Sequence, residues 1–123
     1  MSGKYKIKWL KDPAKHDYSA ARSYLSLIYD EKTAAAYVSK LRLAGVSEFK
    51  AKDIFRASGL SLLGTSDGEV KKYKKKIKSE SRLSPLLLIR DSANGKVVIA
   101  DGYHRLCAVY SYIEDADIRC KII

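Results

Sequence analysis

Cysteine, histidine and proline each occur only twice in this chain, and tryptophan and methionine once. Two histidines and two distant cysteines offer no zinc-ligand spacing. Cys107 and Cys120 stand outside any close motif, so they read as reduced core thiols rather than a disulfide framework, and redox chemistry is disfavoured. No stretch approaches the ~20 apolar residues of a helical membrane span, so no membrane partner is expected. The N-terminal MSGKYKIKWLKDP is basic but lacks the apolar core of a secretion signal, which points to the cytoplasm. Internal repeats and low-complexity linkers are absent, and 123 residues suit one continuous domain. Acidic residues are also in short supply. Fourteen Asp and Glu face 24 Lys and Arg, a formal charge of +10 that makes nucleotides, DNA and RNA plausible partners without choosing among them.

What is present reads as a helical first third and a mixed α/β remainder. After a short basic segment, 5–10, and a turn at Lys11, Asp12 and Pro13, Ala21, Leu25 and Ile28 mark a helix over about 18–29. Asp17 reads as its N-cap, with His16 beside it. Asp30 is placed to cap a second helix with Ala34, Val38 and Leu41 on one face, and Gly45 suits a left-handed end to it. A third helix spans 52–58 and stops at Gly59; Lys52, Asp53 and Arg56 on it are candidates to border a pocket. A polar turn over 65–68 precedes a fourth helix at 69–78, with Val70, Tyr73 and Ile77 inward. The runs at 85–89 and 97–100 read as buried strands joined by a turn at 91–95. A helix over 103–113 and a final strand through Ile118, Cys120 and Ile122 complete the chain.

The residues between the second strand and the last helix are Asp101, Gly102, Tyr103, His104 and Arg105. A glycine at a strand end allows a tight turn and close backbone approach, and the amides of the helix that follows favour an anion, phosphate above all. Against the stripe Leu106, Val109, Tyr110 and Ile113, His104 falls nearly opposite and Arg105 on a flank, so both are expected outside the core and within reach of a ligand. Arg105 offers a planar fork for phosphate oxygens. His104 can donate to a phosphate or carry a proton, and Asp101 can orient His104, hold a metal-bound water or act as a base. The plainer reading is that Asp101 caps the helix and the two basic residues only decorate its first turn. Basic groups there oppose the helix dipole, which favours an anion partner.

The segment PLLLIRDSANGKVVIADGYHRLCAVYSYIEDADIRCKII resembles the ParB and sulfiredoxin superfamily over roughly residues 48–123, with 1–47 left as an added helical segment. The resemblance implies a small mixed α/β sheet with helices, preceded here by a helical hairpin. It also implies that Gly102, Tyr103, His104 and Arg105 cradle the phosphates of ATP or CTP, or of ADP, usually with Mg2+. Sulfiredoxins carry a catalytic cysteine where this chain has Tyr103, and Cys107 is no substitute, so sulfinic acid reduction is excluded. ParB clamps use a Gly-Glu-Arg-Arg type turn, a further nucleotide motif and a helix-turn-helix domain for which these residues leave no room, so partition clamping is not expected.

Six lysines, Lys71, Lys72, Lys74, Lys75, Lys76 and Lys78, crowd the fourth helix. In the family the equivalent helix contributes polar residues near the phosphates. Lys72 and Lys76, four apart, are the pair placed to close over a triphosphate or to line a nucleic-acid backbone, the alternative being a solvated face. The leading expectation is a nucleoside di- or triphosphate held with Mg2+ at the turn, with Asp101 or His104 as base or proton carrier if the ligand is hydrolysed or its phosphoryl group transferred. A DNA- or RNA-binding module, or weak nuclease, using the same turn and the lysine helix is the main rival. A catalytically inactive protein-interaction domain is the third.

Overall fold

The apolar runs near residues 86–91 and 96–101 have no polar face to offer water, and the fold places them in the middle of a layered structure. The computed structural model describes residues 6–64 and 66–123. Tyr5, at the start of the expected basic segment, and Thr65, in the expected 65–68 turn, lie outside them. The elements in order are β1 (Lys8–Trp9), α1 (Lys15–Ile28), α2 (Glu31–Leu43), β2 (Ser47–Lys50), α3 (Ala51–Ser58), α4 (Gly68–Lys78), β3 (Arg82–Leu83), β4 (Leu86–Asp91), β5 (Lys96–Asp101), α5 (Tyr103–Tyr112) and β6 (Asp117–Ile122). The protein is therefore mixed α/β. No helix among the described residues is long and apolar enough to cross a membrane.

Four strands form a mixed sheet in the order β2-β6-β4-β5, with β4 parallel to β6 and the other pairs antiparallel. A one-turn 3-10 helix over Ser92–Asn94 and Gly95 at φ +62° close the β4–β5 hairpin. The side chains of β4 alternate between two cores, as strand geometry requires. Leu86 and Leu88 join Ile54, Val70, Ile77, Leu106 and Ile118 beneath α3, α4 and α5. Leu87 and Ile89 meet Tyr18, Ala21, Leu25, Val38 and Leu41 beneath α1 and α2. The helical hairpin that reads as an addition thus covers the β4–β5 part of one face of the sheet. Each fully buried leucine in it contributes about 1.5–3 kcal/mol of burial.

Several local signals act as the sequence suggests. Asp30 accepts from the Thr33 amide at 2.7 Å, and Gly59 ends α3 in the left-handed conformation at φ +69°. Asp67, for which the sequence reading names only a polar turn, caps α4 by accepting from the amides of Glu69 and Val70. Two expectations need correction. The helix α1 begins at Lys15 with Ala14 as its N-cap, so Asp17 lies inside the first turn and does not cap it. The second helix ends at Ala44 in extended backbone, and Gly45 takes no left-handed conformation, because the chain passes directly toward β2. Three short strands escape the periodicity reading altogether: β1 pairs with β3 in parallel, joining Lys8 to Arg82 and Trp9 to Leu83, and β2 pairs with β6 antiparallel, joining Ser47 to Cys120 and Lys50 to Asp117.

Candidate functional site

The ladder between β4 and β5 slips at Ala100, since Leu88 faces Ile99 but Leu87 faces Asp101. Such a bulge re-aims the residues that follow it and is common beside functional sites. Here it delivers Asp101 to the strand end and Gly102 to the N-cap of α5 at φ +110°. A Cβ at Gly102 would lie 2.5 Å from Leu86 Cγ and 3.0 Å from Arg105 Nη2. Within the protein, the close approach that glycine allows is to Leu86 and Arg105.

Arg105 departs most from expectation, because it is only 5% exposed. Its Nη2 donates to Asp101 Oδ2 at 2.8 Å, lies 3.6 Å from Asp17 Oδ2 and reaches the Pro85 carbonyl at 3.5 Å. The helix-face argument fails because α5 is enclosed: five consecutive residues, Arg105, Leu106, Cys107, Ala108 and Val109, are buried. Burial disfavours the guanidinium's charge, but Asp101 and Asp17 more than offset that and hold its pKa above the ordinary value. Burial raises the pKa of Asp101, and Arg105 pulls it back only in part. The Nε of Arg105 is buried and has no hydrogen-bond partner among the described residues.

Asp17, 3% exposed, is the third member of this cluster. It accepts from the Ser84 hydroxyl, whose oxygen accepts from the Ala14 amide at 3.0 Å. The exposed His16 brings Nε2 to 3.3 Å from Asp17 Oδ1. A signal for this role lay in the sequence. Asp17 sits four and eight residues before Ala21 and Leu25, on the stripe that α1 turns to the core.

Around the cluster opens a cleft of about 130 Å3, lined by His16, Asp17, Tyr73, Lys76, Arg82 and Arg105, with Ser84 at its wall. The Tyr73 ring gathers cations: Lys76 Nζ lies 5.3 Å from its centroid, Lys72 Nζ 5.4 Å and the Arg105 guanidinium 5.8 Å. Lys76 reaches the cleft, whereas Lys72 lies 3.8 Å from Glu69 and does not line it. His104 is half-buried beside Tyr103 and is not part of the lining. The Tyr103 hydroxyl donates to the Ser61 carbonyl, tying α5 to the loop before α4. The fold thus gathers Asp101, Arg105 and Lys76 and substitutes His16 for His104.

Lys52, Asp53 and Arg56 lie away from this cleft. Lys52 pairs with Asp115 at 2.6 Å, and Asp53, 3.5 Å from Arg56, borders an apolar groove of about 350 Å3 between α3 and the β4–β5 hairpin. Both cysteines are buried and unpaired; burial raises the Cys107 pKa and pushes that of Cys120 up to about 11. Among the described residues no three His, Cys, Asp or Glu side chains converge as a metal site. Comparisons with protein-family models, with curated proteins and with solved structures find no match to this chain.

Proposed function

We propose that the Arg105 cleft binds a phosphoryl group of a nucleoside di- or triphosphate. The observation that carries this reading is the convergence of Arg105, Lys76, Arg82 and His16 on one small cavity beside the first turn of α5. Its 130 Å3 equals the space of about four waters, room for a phosphoryl group while sugar and base extend outward. Lys76 and Arg82 are exposed and neither is ion-paired among the described residues, while Arg105, braced by two carboxylates, fixes the floor. The likeness of the turn to the ParB and sulfiredoxin superfamily makes ATP, CTP and ADP the first ligands to try. The buried free thiols suit the reducing cytoplasm as its setting.

Mg2+ does not fit as a protein-held group, because the carboxylates of Asp17 and Asp101 are directed at Arg105 and Ser84. No step is assigned to it. For the same reason Asp101 is a poor general base in this reading, and His16, held by Asp17, takes the proton-carrying place expected of His104.

Thermal unfolding against a nucleotide panel tests the proposal. Arg105→Ala is a poor probe, since it disrupts the core; Lys76→Ala and Arg82→Ala remove exposed groups. At a ligand concentration of 100 times Kd, binding adds about 2.7 kcal/mol to stability, which for a chain of this size raises Tm by about 8 °C. Both variants are expected to lose most of that rise. No rise in the wild type, or equal rises in all three proteins, would refute the proposal.

A further inference from the structure

Beside the Arg105 cleft lies a second, larger groove of about 480 Å3, lined by Lys6, Lys8, Lys11, Arg82, Arg119 and Trp9. It shares Leu10 and Arg82 with the cleft, so the two form one continuous basic surface along β1 and β3. We infer that this surface takes a single-stranded nucleic acid, with one phosphate in the Arg105 cleft, the next ones along the groove and a base against Trp9. The inference rests on the phosphate reading of the cleft and extends it from free nucleotides to a strand whose backbone phosphate takes the same seat.

Three observations carry it. Five Lys or Arg side chains line one concavity in a chain of formal charge +10, the electrostatic footprint of a phosphodiester backbone. Two of them are partly neutralised, Lys8 by Glu80 at 3.0 Å and Arg119 by Glu48 at 3.9 Å. Lys6, Lys11 and Arg82, all exposed, remain for phosphates. The groove is also bordered by the chain's single tryptophan, half-buried, which packs against the core on one side and whose backbone carbonyl accepts from Arg82 Nη1 at 3.2 Å. Arg82 lines both the groove and the cleft. An aromatic among cations suits an unstacked base, because base stacking is tolerant of sequence and contributes about 1–3 kcal/mol per base. A duplex offers no free base face, so the single strand is the form that fits.

Because Trp9 is the only tryptophan, its fluorescence reports on this groove alone. A short oligothymidylate or oligouridylate is expected to quench it at low salt. With about three phosphates engaged, log Kobs falls against log salt concentration with a slope of about −2. The double variant Lys6→Glu and Lys11→Glu is expected to bind at least tenfold more weakly with a shallower slope, while keeping the wild-type thermal shift with mononucleotides. Mononucleotide stabilisation without oligonucleotide quenching would overturn the inference and leave the cleft reading standing. Equal quenching by heparin, or tighter binding of duplex than single strand, would also overturn it. Oligonucleotide quenching without any mononucleotide stabilisation would remove the cleft as a phosphate seat and with it the continuous path inferred here.

Discussion

Removing Arg105 should cost more than any other single change at the site, and the loss should depend on pH. Arg105→Ala leaves Asp17, buried, and Asp101, partly buried, without the guanidinium at 3.6 and 2.8 Å that balances them. Breaking a buried ion pair by deleting one partner costs about 3–5 kcal/mol, and truncating a packed side chain adds to it, so the expected loss near neutral pH is at least about 4 kcal/mol. Burial already holds the Asp101 carboxyl above its ordinary 3.8, and without Arg105 it rises further. A carboxyl with a raised folded-state pKa binds its proton more readily folded than unfolded. Its contribution is therefore greatest below the unfolded value and declines as pH rises through the folded value. The variant should thus regain part of its deficit relative to wild type as pH falls toward about 4. Adding Asp101→Asn should recover about 1–2 kcal/mol near neutral pH, since it removes one uncompensated charge. Urea unfolding of the three proteins at both pH values measures each term. A loss below about 1 kcal/mol, equal at both pH values, would refute the buried triad, because that is what an exposed arginine would give.

Further outcomes follow from neighbouring residues. Gly102→Ala combines a left-handed backbone with a Cβ 2.5 Å from Leu86 Cγ and should cost about 3 kcal/mol by thermal or urea unfolding. Asp67→Ala removes the cap of α4 and should cost about 1 kcal/mol in the same measurement. Cys107 and Cys120 should resist a thiol reagent in the native protein and react rapidly after unfolding, because both are buried with raised pKa values.

Elements whose signals are local were legible in the sequence. The β4–β5 hairpin carries its own turn residues, and the caps at Asp30 and Gly59 act on neighbouring backbone. What escaped was long-range. The pairing of Lys8 and Trp9 with Arg82 and Leu83 joins segments more than seventy residues apart, and neither has a period to betray it. The site divides along the same line. Asp101, Gly102 and Arg105 stand out as a turn, and Lys76 was chosen by its helical spacing. The side of α5 on which Arg105 lies depends on α1 and Asp17, far away in the chain. A stripe drawn from Leu106, Val109 and Tyr110 assumes one wet face, and this helix has almost none in its first half. The resemblance alone places Tyr103 at the phosphate, and in the fold its hydroxyl donates to the Ser61 carbonyl. His104 does not line the cleft, and His16 does, because the Asp17 beside it on α1 packs against Arg105.

The most direct test of the phosphate cleft is an amide chemical-shift titration with ADP and ATP. Binding in the cleft predicts the largest changes at His16, Lys76, Arg82, Ser84 and Arg105. No change at these amides at millimolar nucleotide, or changes confined to the apolar groove around Phe49, Leu88 and Val97, would contradict it.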